Sequence, residues 1–317
     1  MIRRDAAAKI AAIDERRAKA AGCRVVRREQ PVNAGADDEH VVRVTGELNG
    51  VAAHRQSRKL SYSSGVSGND RVRAYWQAHI HDLDISSHAP GTAGFFADLD
   101  QYHFEKLHHL LRLVDFSAWK AKDVLDLGCG AGVEVVRFAR AGARVVGVDI
   151  AESAVALTRQ NLAQQGLTAT VEVADGEALP FKDGSFDFVY AHGVIQYTND
   201  DRALAKEVHR VLRPGGLALF QVYNRISWLN ALSKVMKTPL EHEDAPVLKR
   251  YSIGELRELV SGFSTVEIVP ERFPVKSRLH KGWKGAAFNT FFVGTFNTLP
   301  RAWVRRFGWH LLAFCRK

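Results

Sequence analysis

Two regimes of hydrophobic patterning divide the chain near Asp123. From there on, short β-rich runs alternate with segments whose apolar residues recur every three or four positions, the signature of a parallel sheet covered by helices on both faces. Strands are predicted at Val124–Leu127, Arg144–Val148, Ala169–Val173, Phe186–Ala191, Leu217–Val222 and Thr265–Val269, with Trp309–Phe314 as the closing strand. Helices are predicted at Val133–Ala141, Glu152–Gln165, Asp201–Leu212 and Leu256–Val260. Gly142, Gly166 and Pro214-Gly215-Gly216 close the first three, as helix exits do. Seven strands in this order give a doubly wound, Rossmann-like α/β sheet.

Ahead of this region the pattern is weaker. Residues 1–68 read as an N-terminal appendage: an Ala-rich charged helix over Asp5–Ala21, then short strands around Val25-Val26 and His40–Val44. Ser61–Asn69 has the Ser/Gly content of a linker. Residues 69–122 form a helical lid, with Val72, Tyr75, Trp76 and His79 on one helix and a longer one from Phe95 to Val114. The domain at 123–317 carries insertions at 224–250 and 272–307, the second holding Phe288, Phe291, Phe292 and Phe296 at helical spacing.

At 317 residues, with 46% hydrophobic and 25% charged, the chain has enough apolar surface for a large core, which excludes disorder as its main state. No apolar run reaches the roughly 18 residues a membrane span needs, and Met1-Ile2-Arg3-Arg4-Asp5 leads into no signal core; a soluble, cytoplasmic protein is expected. Cys23, Cys129 and Cys315 are too scattered for a disulfide framework or a metal site. The formal charge is +9, which invites a nucleic-acid or membrane partner. Its distribution narrows that: residues 272–317 hold ten basic residues, ten aromatics and no acid, leaving residues 1–271 within one charge of neutrality. Nucleic acid is therefore not the expected partner, whereas an anionic membrane touched peripherally by 272–317 is.

The chemistry concentrates where the first predicted strand enters a helix, at Asp126-Leu127-Gly128-Cys129-Gly130-Ala131-Gly132. Glycines two apart permit a tight turn and a close backbone approach to a ligand at the carboxyl edge of the sheet. Asp149 ends the second strand, 21 residues after Gly128, where an acid accepts ribose hydroxyls. A dinucleotide fingerprint would place its third glycine at 133, where Val133 stands. Asp126 suits the ammonium of an amino-acid moiety, and Asp175, after the third strand, suits an adenine amino group.

These motifs resemble those of class I S-adenosylmethionine-dependent methyltransferases, of the small-molecule branch that includes ubiquinone and menaquinone biosynthesis enzymes. Asp175-Gly176-Glu177, Ser185–Tyr190 and Arg210–Gly216 follow in the family's order. The resemblance implies S-adenosyl-L-methionine held by Asp126, Gly128, Cys129, Gly130, Asp149, Ile150, Asp175, Gly176 and Glu177, with His192 near the methyl donor. It implies methyl transfer to an oxygen or carbon of a small, apolar organic acceptor. Ala191–Tyr197 lacks the Asn/Asp-Pro-Pro-Tyr/Phe motif of base-modifying relatives, and Gln196 and Tyr197 stand where two histidines are common.

Such a reaction needs alignment in line with the methyl group more than acid–base help. Where a base is needed, His192 is the candidate, with Tyr75 from the lid. His103, His108 and His109 are expected on a solvated helix face and not as a metal site, Trp76 against the sheet, Cys129 as a small packed side chain and Asp187 as a structural carboxylate. The alternatives are an RNA or protein methyltransferase gripping its substrate with the basic segment, and a non-catalytic cofactor-binding subunit.

Overall fold

The computed structural model describes residues 67–80, 85–237, 239–274, 290 and 293–317. Residues 1–66 of the appendage predicted at 1–68, and most of the aromatic stripe at 288–296, lie outside the described residues.

The five parallel strands are β1 (Asp123–Leu127), β2 (Arg144–Asp149), β3 (Thr170–Val173), β4 (Phe186–His192) and β5 (Leu212–Tyr223). β6 (Thr265–Glu271) and β7 (His310–Arg316) complete a seven-stranded sheet of order β3-β2-β1-β4-β5-β7-β6. β7 runs antiparallel to both β5 and β6, pairing Leu217 with Arg316 and Thr265 with Arg316. The central strands read as unbroken apolar runs because both faces are covered. One core includes Leu125, Val189, Leu204, Phe220 and Leu311; the other packs Val124, Val135, Phe138, Phe188 and Leu219 under the lid residues Phe95 and Leu110. The strand order reverses between β1 and β4, which opens a crevice at their carboxyl ends.

Helix α1 (Gly68–Ala78) starts within the stretch expected as a linker, because the Ser67 hydroxyl caps it by accepting from the Asp70 amide at 3.2 Å. The helix expected over Phe95–Val114 is broken into α2 (Ala93–Lys106) and α3 (Leu110–Leu113). The break turns His109 inward, so that it is wholly buried. His103 also faces inward, and of the three histidines His108 alone is exposed as expected. Over the sheet lie α4 (Val133–Arg140), α5 (Glu152–Gln164), α6 (Asp201–Val211), α7 (Trp228–Met236) and α8 (Ile253–Leu259). α9 (Val293–Thr298) and α10 (Arg301–Val304) lead into β7. Pro214-Gly215-Gly216 sits within β5, which starts five residues earlier than expected, with an irregular register against β4 at Phe186–Phe188. Asp187 holds this corner, accepting from the Asp123 amide at 2.9 Å and pairing with Arg213 at 2.8 Å, the structural part expected of it.

Candidate functional site

A cavity of about 220 Å³ occupies the crevice at the strand reversal. Its floor is the glycine loop. Gly128, Gly130 and Gly132 all have left-handed φ, 76°, 53° and 77°. A Cβ at Gly128 would stand 2.3 Å from Val194 Cγ2 and one at Gly132 2.7 Å from Thr158 Cγ2, whereas one at Gly130 would meet nothing within 4 Å. The loop is thus clamped at its ends and open in the middle, where a ligand can approach the backbone.

Three carboxylates surround that opening. Asp149 accepts from the Gly130 amide at 3.0 Å and from the Ala151 amide at 2.9 Å, so loop and acid fix each other. Burial pushes its carboxyl up, against the lowering effect of those backbone donors. Asp126, near the end of β1, is 2% exposed, and its Oδ2 has no hydrogen-bond partner among the described residues. Burial, with Glu134 and Asp149 adding to it, pushes this carboxyl well up. Asp175 Oδ1 accepts from the Glu177 amide at 2.9 Å, and its Oδ2 accepts from the Asn69 side chain at 2.6 Å. A buried carboxyl oxygen without a donor, among other acids, is a place for a cation with N–H groups. This set of acceptors therefore fits the ammonium, ribose and adenine of S-adenosylmethionine in turn.

Of the residues predicted for the cofactor, Asp126, Gly128, Cys129, Gly130, Asp149, Ile150, Asp175, Gly176 and His192 all line the cavity. Glu177 does not: its side chain accepts from the Asp200 amide at 3.0 Å and from Asn69 at 3.2 Å, and so braces the wall from behind. Cys129 is packed at 4% exposure with its thiol pushed up by burial, an inert filler. Tyr75 is also off the cavity. Its hydroxyl donates to Asp244 Oδ1 at 2.9 Å and lies 3.2 Å from His242 Nδ1, so the lid tyrosine ties α1 to the insertion at 224–250. Its neighbour Trp76 lines the cavity instead of packing on the sheet, its ring 4.9 Å from Tyr197.

Several lining residues carry no family motif. Glu134, in the first turn of α4, reaches His103 Nε2 at 2.8 Å and accepts from the Tyr190 hydroxyl at 3.4 Å. Burial alone would push its carboxyl up, but His103 and then His192 outweigh it and hold Glu134 ionised. A carboxylate inside the apolar run Val133-Glu134-Val135-Val136 was the available signal. His192, the last residue of β4, stacks on Tyr190 at 5.9 Å, with the rings of His103 and His310 each 6.0 Å away. Tyr197 donates to the Tyr223 hydroxyl at 3.2 Å, and both line the far chamber with Lys106, Arg272 and His310. The cavity is therefore acidic around the glycine loop and aromatic and basic at its other end.

Residues 125–220 match the family model of a methyltransferase domain. The chain carries a methyltransferase domain over these residues. It is 34% identical over 128 residues to an uncharacterized methyltransferase of Synechocystis, covering 39% of this chain and 58% of that protein. It is 33% identical over 128 residues to a ubiquinone biosynthesis O-methyltransferase of Thiobacillus denitrificans, covering 38% and 55%. A sterol 4-C-methyltransferase of Caenorhabditis elegans is 36% identical over 104 residues, covering 32% and 30%. The chain thus spans about half, or less, of the length of these curated relatives. The PH0226 protein of Pyrococcus horikoshii, known from its crystal structure, shares the fold of the methyltransferase domain. Its TM-score is 0.51 at 19% identity, over 77% of this chain and 98% of that one.

Proposed function

We propose that the protein transfers a methyl group from S-adenosylmethionine to an oxygen or carbon of a small, largely apolar acceptor. The observation that carries this reading is the two-ended cavity: three carboxylates around a glycine loop at one end, and Trp76, Tyr197 and Tyr223 at the other. The named activity of the Thiobacillus relative supports the same class of acceptor.

S-adenosylmethionine, when bound, supplies an electrophilic methyl group next to a cationic sulfur. Asp126 would hold the amino-acid ammonium, Asp149 the ribose and Asp175 the adenine edge. Glu134, kept ionised by His103, adds negative charge on the cofactor side without needing to move. Asn69 closes α1 over Asp175, and Trp76 from the same helix excludes water from the chamber. His192 stands at the junction of the two ends, where it can take the acceptor's proton as a general base.

An apolar acceptor has a natural source in a membrane. Trp303 is 70% and Leu299 40% exposed, next to the exposed Arg305 and Arg306. Other basic residues of 272–317 serve the fold: Arg316 donates to the Gly215 carbonyl, and Lys317 to those of Arg210 and Leu212. No described helix is long and apolar enough to cross a membrane, so contact through this segment would be peripheral. Co-sedimentation should show binding to anionic vesicles well above binding to neutral ones, with the difference lost in Arg305→Gln/Arg306→Gln; equal partitioning would remove the electrostatic docking.

The acceptor class is tested by offering the protein tritiated methyl donor and a fractionated cell extract. Label should enter the lipid or small-molecule fraction. Label confined to RNA or protein would overturn the reading in favour of a macromolecular substrate.

A further inference from the structure

Part of the cavity wall is built by the residue that follows β6. Arg272 has a φ of 57°, a left-handed conformation that a non-glycine residue keeps only where its surroundings impose it. Its carbonyl is held from two sides, by the Trp228 indole N–H at 2.9 Å and the Trp309 amide at 3.3 Å. The backbone so fixed sends the guanidinium into the cavity wall, with the side chain only 17% exposed.

Among the described residues, the groups around that guanidinium leave part of its fork unused. NH1 donates to His310 Nε2 at 3.0 Å. NH2 stands 3.7 Å from Glu241 Oε1, too far for a hydrogen bond, and Lys106 Nζ lies on that same oxygen at 2.9 Å. His310 offers no counter-charge: burial, with Arg272 next, holds its imidazole well below the usual range, so the ring is neutral and serves as an acceptor. A guanidinium has five N–H donors in a planar fork that matches a carboxylate edge.

We propose that Arg272, with Lys106 beside it, binds a carboxylate carried by the methyl acceptor, so that the substrate is an aromatic or otherwise apolar acid and not a neutral molecule. His310 and Glu241 are positioning residues that aim the fork. The placement suits this division of labour, since the His310 ring stands between Arg272 and His192, and the acid group would be anchored away from the reacting end of the acceptor. The inference rests on the small-acceptor reading above. The same chemistry has a second source, the amino-acid carboxylate of the methyl donor, and the experiment separates the two.

Full-length protein saturated with S-adenosylhomocysteine is titrated with 4-hydroxybenzoate and, separately, with 4-hydroxybenzamide. The acid should bind about 10- to 100-fold more tightly than the amide, the range expected for a charge-assisted pair in a partly buried site. Arg272→Gln should erase that preference and leave S-adenosylhomocysteine affinity unchanged, while Arg272→Lys should retain part of it. Equal binding of the two probes, or binding of neither, overturns the proposal. Loss of S-adenosylhomocysteine affinity in Arg272→Gln, with the melting temperature kept, also overturns it by giving the cations to the donor's carboxylate. If Arg272→Gln fails to fold, Lys106→Gln is read in its place, with a reduced preference expected and an unchanged one counting against the proposal. A parent protein that binds no S-adenosylhomocysteine contradicts the methyltransferase reading itself; one that binds it but ignores the acid contradicts only this inference.

Discussion

Asp149→Ala weakens S-adenosylhomocysteine binding by about 100- to 1,000-fold, the loss of two charge-assisted hydrogen bonds to ribose hydroxyls at roughly 1.5–2 kcal/mol each. The effect is large because Asp149 acts twice. In the proposed site its carboxylate would present acceptors to the ligand, and it also fixes the loop by accepting from the Gly130 and Ala151 amides at 3.0 and 2.9 Å. Asp149→Asn keeps an acceptor oxygen and the side-chain shape, and should recover part of the affinity. Equilibrium dialysis with the labelled ligand gives the ratio, and thermal melting confirms that the variants fold. Binding of Asp149→Ala as tight as the parent's would place the nucleoside elsewhere.

His109→Phe stabilises the protein, and does so more as the pH falls. His109 is wholly buried, and neither ring nitrogen has a hydrogen-bond partner among the described residues. Burial first, and then the electrostatic influence of His192, His108, Arg272 and Arg112, lower its pKa from 6.5 to about 2. The unfolded chain binds a proton on this ring below about pH 6.5 and the native state does not, so the group's contribution is intact above that pH and lost as the pH falls towards the folded value. Each pH unit in that window costs about 1.4 kcal/mol. The parent's total slope is not that simple, because the raised carboxyl of Asp126 contributes with the opposite sign. The difference between parent and variant isolates His109. Urea unfolding at pH 7.5 and pH 5 should show the advantage of His109→Phe growing by about 2 kcal/mol. An advantage that does not change with pH would mean that the ring titrates normally in the native protein.

The succession of strands and the acidic, glycine-lined part of the cavity were legible because local sequence dictates them. Glycines at 128, 130 and 132 and acids at strand ends follow from backbone geometry within a few residues of each other. The wall with Lys106, Glu241, Arg272 and His310 was not legible, because it is assembled from distant pieces. Lys106 ends one lid helix, Glu241 belongs to an insertion, Arg272 follows β6, and His310 opens β7. Nothing in the spacing of 106, 241, 272 and 310 signals a common wall. The lid was half legible: periodicity found its helices, but it could not show that the Phe95–Val114 pattern breaks after Lys106 and buries His109. Tyr75 and Trp76 show the same limit, since adjacent residues on a helix point to different neighbours. Only tertiary packing sends Trp76 to the cavity and Tyr75 to Asp244. Asn69, within the expected linker, closes over Asp175 for a reason no local pattern carries.

Calorimetric titration of the full-length protein with S-adenosylmethionine decides whether the acidic, glycine-lined part of the cavity holds that cofactor. One site per chain is expected, with competition by S-adenosylhomocysteine and no displacement by nicotinamide dinucleotides. Absence of binding, or tighter binding of a nicotinamide dinucleotide, would contradict that assignment.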